Sequence, residues 1–192
     1  MKIKLNRQGF NVWFASDFHY SHKNIVKKLS NWDNLNTCRD FDSIEDMDNT
    51  IIKNLNDKIG MQDYLFILGD LSFSVSGVQE FVKRLNCKNL YLLYGNHDKP
   101  IRTNKHLQGH FRGISDVGMV IVDNQRIFMS HYAHRVWPHS HQLNTYHLYG
   151  HSHGNLPELD NQYSMDVGID TNDFKPYSFD DIVEHMNQKK VV

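Results

Sequence analysis

Three short apolar runs, each ending at residues able to bind metal, constrain this chain more than any other feature. NVWFAS (Asn11 to Ser16) runs into Asp17 and His19, YLFIL (Tyr64 to Leu68) into Gly69-Asp70, and LYLLY (Leu90 to Tyr94) into Gly95-Asn96-His97-Asp98. Apolar runs of this length bounded by turn residues read as buried strands. Between the first two, Ser43 to Ile59 places apolar residues at 44, 47, 51, 55 and 59, a helical spacing that opens on Ser43 and Asp46 in the manner of a capping box. Val78, Phe81, Val82 and Leu85 mark a second amphipathic helix before the third run. Strands alternating with helices predict parallel pairing through crossovers.

From about Asp116 the pattern changes. DVGMVIVD and QRIFMSH predict a hairpin turning at Asn124-Gln125, Tyr146 to Tyr149 and Tyr163 to Val167 predict two more strands, and Asp180 to Asn187 predicts a closing helix. Another helix is expected from about Ser21 to Leu29. No repeat, low-complexity tract or linker interrupts the 192 residues, so one α/β domain spanning 1–192 is expected, with mixed sheets rather than an open, purely parallel one.

The later strands also end in metal-capable residues: the hairpin's second strand at His131, and the next at Gly150-His151-Ser152-His153. In open α/β sheets, ligand sites lie beyond the carboxyl ends of the strands. Asp17 and His19 stand two apart, as do His151 and His153, so on an extended backbone each pair shares a face. Carboxylates with imidazoles and no cysteine suit Mn, Fe, Zn, Ni or Co. Asp17, His19, Asp70, Asn96, His131, His151 and His153 are too many donors for one ion and suffice for two if one aspartate bridges. The glycines ahead of Asp70, Asn96 and His151 allow sharp turns and close backbone approach.

Composition narrows the surroundings of such a site. Thirteen histidines stand against a formal net charge of −1, so no global basic field points to nucleic acid or membrane. Cys38 and Cys87 form no CxxC and suggest no disulfide framework. MKIKLNRQGFNVWF lacks a continuous apolar core, so no secretory signal is expected, and no run approaches the roughly 18 apolar residues of a spanning helix. The expected location is cytoplasmic, without a membrane partner.

Asp17-x-His19, Gly69-Asp70, Gly95-Asn96-His97-Asp98, His131 and Gly150-His151-x-His153 resemble, in order, the motif blocks of the calcineurin-like metallophosphoesterases. DFHYSHKNI, TCRDFDSIEDMD and DVGID followed by KPYSFDDI resemble the small bacterial and phage members. The resemblance implies a four-layer α/β/β/α sandwich with two divalent metal ions. It implies that Asp17, His19 and His153 bind one ion and Asn96, His131 and His151 the other. It further implies that Asp70 bridges them and that His97 is the general acid, oriented by Asp98. The implied activity is metal-dependent hydrolysis of a phosphomonoester or phosphodiester by a hydroxide held between the ions, with manganese the first choice for assay.

Other residues carry weaker expectations. His22, Arg39 and Arg102 are candidate substrate contacts, the arginines because guanidinium binds phosphate in a bidentate fork. Tyr20, Tyr132 and Trp137 read as packing rather than base-stacking residues. His106, His110, His147 and His185 carry no expected role. A chain of this length has little room for a lid, which predicts an open site tolerant of extended substrates, nucleotides and nucleic acid among them. The alternatives are a silent phosphoesterase fold serving as a protein-binding scaffold, and a nuclease or end-healing phosphatase using the same site. The intact set of expected ligands argues against the scaffold, and the reading calls for no protein partner.

Overall fold

The computed structural model describes residues 1–36 and 38–190. Among these the strands are β1 (Lys2–Leu5), β2 (Val12–Ala15), β3 (Tyr64–Ile67), β4 (Asn89–Leu93), β5 (Gly113–Ser115), β6 (Val117–Val122), β7 (Gln125–Ser130), β8 (Thr145–Tyr149), β9 (Ser164–Asp166) and β10 (Tyr177–Ser178). The helices are α1 (Ile44–Lys58), α2 (Val75–Arg84), the one-turn α3 (Lys99–Arg102) and α4 (Lys105–Gln108), and α5 (Phe179–Asn187). Two mixed sheets result, ordered β1-β6-β7-β8-β9 and β10-β2-β3-β4-β5. The expected crossovers hold, since β2, β3 and β4 pair in parallel.

Burial explains why β2 and β3 read as continuous apolar runs. Trp13, Ala15, Leu65 and Ile67 pack into a core with Met47, Ile51 and Leu55 of α1 and Val78 and Phe81 of α2. Their neighbours Val12, Phe14 and Phe66 turn the other way, into a second core shared with Val120, Ile127, Met129 and Leu148 of the facing sheet. A strand covered on both faces has no polar side to alternate. α5 buries Phe179, Ile182 and Met186 in that second core, and its Ser178 and Asp181 form a full reciprocal capping box. The fold is therefore α/β with two mixed sheets.

One strand was not foreseen and three expectations are corrected. KIKL is β1, an edge strand paired in parallel with β6; its lysines suit an edge. The hairpin turns at Asp123-Asn124, both left-handed at φ 48° and 73°, one residue earlier than predicted. Ser21 to Leu29 forms two 3₁₀ turns, Lys23–Ile25 and Lys27–Leu29, because Val26 between them is extended and bridges to Arg39. Trp137 and Tyr20 are buried, as packing residues should be, whereas Tyr132 is 46% exposed. No helix among the described residues is long and apolar enough to cross a membrane.

His147, on β8, is a buried polar group with a pH signature. His134 N–H donates to its Nε2 at 2.9 Å, and its Nδ1 faces Phe128 O at 3.4 Å. Burial, with His134 nearby, lowers its pKa to about 4. The unfolded chain thus binds a proton near pH 6.5 that the native state refuses until about pH 4, so stability falls as pH drops through this window. The full effect is about 3 kcal/mol. Urea midpoints at pH 7 and pH 4.5 should fall further for the wild type than for His147→Gln; equal falls would refute the assignment.

Candidate metal centre

The carboxyl ends of β2, β3 and β4 in one sheet and of β7 and β8 in the other meet at one place. Asp17, His19, Asp70, His151 and His153 are all left-handed there, with φ of 58°, 46°, 55°, 69° and 47°. Side chains other than glycine adopt this region at a cost of about 1 kcal/mol or more, and such residues cluster where function demands it. The turn logic differs from expectation: neither Asp17/His19 nor His151/His153 lies along an extended strand. Instead the chain curls at each residue. The result is two groups, Asp17 with His19 and His153, and Asp70 with His131 and His151, the donor atoms within each lying within 4.8 Å of one another.

The two aspartates are set alike. Asp17 Oδ2 accepts from His151 N–H at 2.9 Å, and Asp70 Oδ1 accepts from His97 N–H at 2.9 Å. Each keeps one oxygen for the imidazoles. Asp17 Oδ1 lies 4.0 Å from His153 Nε2, and Asp70 Oδ2 lies 3.4 Å from His131 Nε2 and 3.8 Å from His19 Nε2. Asp70 therefore faces both groups. Two glycines make the close approach possible: a Cβ on Gly95 would sit 2.1 Å from Asp70 Oδ1, and one on Gly150 would sit 2.5 Å from Asp17 Oδ2.

Hydrogen bonding sets the tautomers. His131 Nδ1 is 2.8 Å from Leu68 O, and a carbonyl only accepts, so Nδ1 carries the proton. His153 Nδ1 likewise donates to Asp170 Oδ2 at 2.7 Å. The unprotonated Nε2 of neutral His131 then faces Asn96 Oδ1 at 3.1 Å, and His153 Nε2 faces His19 Nε2 at 3.2 Å. Asp17 Oδ1, fully buried, has no hydrogen-bond partner. An imidazole nitrogen facing an amide oxygen in a buried site, with a carboxylate oxygen left unpaired, fits a divalent cation. The seven expected donors all reach this place.

Charge follows the same logic. Burial pushes Asp17 up to about 6. Burial also works upward on Asp70, but the His131 ring and the His97 amide outweigh it and bring Asp70 down to about 2. Burial drives His19 well below the usual imidazole range.

The groups expected around the metals need revision. Asp98, fully buried, does not orient the His97 ring: its carboxylate accepts from the amides of Asp70, Leu71 and Gly95 at 2.9, 2.9 and 2.7 Å. The His97 ring instead packs on Phe73 at 4.1 Å, tilted by 30°, and His22 stacks on Phe73 at 4.1 Å too. His97 Nε2 stands 4.0 Å from Asp70 Oδ2. Arg39 is no surface phosphate clamp. It is buried, pairs with Asp170 through Nε at 2.7 Å and Nη2 at 2.8 Å, and donates to the carbonyls of Asp17 and Phe18. Arg102 lies over Tyr94 at 3.9 Å and pairs with Asp116 at 2.6 Å. Its cavity borders Asn96, so it flanks the centre without entering it.

Asp170 and Phe73 were missed. DVGID drew attention only as part of a resemblance, and Asp170 meets Arg39 across 131 positions, with no local cue to the pairing. Phe73 follows Gly69-Asp70 closely enough that proximity to the site was the available signal.

No family model matches the chain. An uncharacterized protein of Methanocaldococcus jannaschii is 28% identical over 94% of each chain. A crystal structure of a protein of unknown function from Aquifex aeolicus is similar in fold, with a TM-score of 0.68 at 22% identity, covering 92% of this chain and all of that one. An archaeal phosphodiesterase aligns over 88% of this chain and 98% of its own at 20% identity, with a TM-score of 0.49, a degree of likeness that does not establish a shared fold.

Proposed function

We propose that this protein is a dinuclear-metal phosphoesterase that hydrolyses a phosphomonoester or phosphodiester. The observation that carries the reading is Asp70 Oδ2, one carboxylate oxygen within 3.4 Å of an imidazole of its own group and 3.8 Å of an imidazole of the other. In this reading Asp17, His19 and His153 hold one ion and Asn96, His131 and His151 the other, with Asp70 shared. The four-layer α/β/β/α arrangement belongs to the same proposal. Bound ions supply Lewis-acid neutralisation of the phosphoryl oxygens and ease deprotonation of the attacking water.

The chain's own groups do the rest. The proton on Nδ1 of His131 and of His153 is held by Leu68 O and Asp170, which keeps both Nε2 atoms turned inward. As the oxygen of water bonds to phosphorus and the ester P–O bond breaks, His97 gives its proton to the departing oxygen and is reprotonated from solvent. The contact with Phe73 orients the ring that delivers the proton.

The test is hydrolysis of mono- and bis-p-nitrophenyl phosphate after loading with Mn²⁺, Fe²⁺, Co²⁺, Ni²⁺ or Zn²⁺. Turnover is expected with at least one metal. Asp70→Ala should bind neither ion tightly and lose turnover at least 1,000-fold, a magnitude of the order expected when charge stabilisation is removed. An inactive wild type with every metal, or an Asp70→Ala variant as active as the wild type, would end the proposal.

A further inference from the structure

Beside His97 opens a cavity of about 520 Å³ whose walls include His22, Phe73, Trp32, Asn24 and Asn155. Resting on the phosphoesterase reading, its place is decided by proton transfer: the group that takes the His97 proton leaves on the His97 side, into this cavity. Its chemistry is decided by what lines it. Its inner end is formed by His19, His151 and His153 of the two metal groups, and no lysine, arginine, aspartate or glutamate lines the rest of it. The cavity of about 430 Å³ on the Asn96 side, by contrast, carries Lys99, Arg102 and Asp116. Away from the metal groups, the outer part of the first cavity therefore suits an uncharged group.

Phe73 is not free to stack on a ligand, because the rings of His22 and His97 both lie on it at 4.1 Å. Trp32 is free. It is 42% exposed, while Trp13 and Trp137 are buried, and it touches His22 only at an angle of 61° and 5.9 Å. An open indole face on the uncharged outer wall of a cavity accepts a planar ring, and every nucleobase has one. The side-chain amides of Asn24 and Asn155 each offer a donor and an acceptor, the pair of functions that the edge of a base presents.

We infer that this cavity is a nucleoside subsite, with the base stacked on Trp32, and that the leaving alcohol is a nucleoside hydroxyl. In the step it serves, water supplies the new P–O bond and the ester P–O bond breaks. The leaving oxygen keeps that electron pair and takes the His97 proton, while the proton lost from water passes to solvent.

Because Trp32 is the exposed tryptophan, its fluorescence reports occupancy without metal or turnover. Adenosine and thymidine titrated into the metal-free protein should quench it saturably, and ribose should not. Trp32→Leu should abolish the quench and weaken nucleoside binding, followed by calorimetry, about 5- to 100-fold; Trp32→Phe should recover part of that affinity. With metal, kcat/KM for a nucleoside 5′-monophosphate relative to glycerol phosphate should fall by a similar factor in Trp32→Leu. Quenching that is absent, or that survives Trp32→Leu, or binding of p-nitrophenol as tight as that of nucleosides, would overturn the subsite whether or not the enzyme hydrolyses phosphate esters. Saturable Trp32-dependent nucleoside binding by a protein inactive with every metal would instead sustain the subsite and remove the phosphoesterase reading.

Discussion

Arg39→Met is expected to lower the unfolding free energy by about 3–5 kcal/mol, the usual cost of removing one partner from a buried ion pair. Arg39 has few ways to compensate. It is 4% exposed, and its guanidinium satisfies both oxygens of Asp170 and two main-chain carbonyls. Methionine keeps most of the volume and none of the donors, so the carboxylate and both carbonyls lose partners at once. The carbonyls belong to Asp17 and Phe18, so the left-handed turn that presents Asp17 loses its restraint along with the charge. Asp170 loses its anchor while still holding His153. Affinity for the first ion should therefore drop about 10- to 100-fold, as when an outer hydrogen-bond partner of a ligand is lost. Urea unfolding and metal titration by calorimetry check the two parts separately. In the double variant Arg39→Met/Asp170→Asn, the combined loss should be smaller than the sum of the single losses, since neither buried charge is then stranded. Strict additivity, or a stability loss below 1 kcal/mol, would contradict this account of the pair.

His97→Ala should retain both ions and lose turnover of alkyl phosphate esters about 100- to 10,000-fold, the range typical of a lost general acid. The two halves of this expectation come from different observations. The side-chain donors of the two metal groups do not include His97, whose ring is about two-fifths exposed at the cavity mouth. An aryl leaving group departs without help, so p-nitrophenyl esters should be hit far less. Metal content by elemental analysis and rates on both ester types make the measurement; full alkyl-ester turnover would remove His97 from the reaction. One side effect must be controlled, because the backbone amide of His97 donates to Asp70, and alanine preserves that bond.

The convergence of the donors was legible in the sequence because each strand run ended in a turn residue followed by a donor, and parallel strands deliver such ends to one edge. Its finer construction was not. The two-residue spacing of Asp17 and His19 suggested a shared strand face, but both residues curl into the left-handed region, which no pattern of apolar residues reveals. Val26 breaks the expected 21–29 helix by pairing with Arg39, a contact made by tertiary structure rather than by local preference. Arg39 reads from the sequence as a candidate phosphate contact because its partner, Asp170, lies far along the chain. Charge alternating with apolar residues in KIKL hid an edge strand.

Asp98 has a consequence beyond its own burial. One carboxylate grips amides at the tips of two adjacent strands, β3 and β4, so the separation between those tips is dictated by three short bonds to a common anchor. Asp70 and Asn96, one on each tip, are held at a gauge set while the chain folds. In the proposed two-metal reading, the ions would meet a berth whose width is already decided, and selectivity among metals would begin with which of them that width admits.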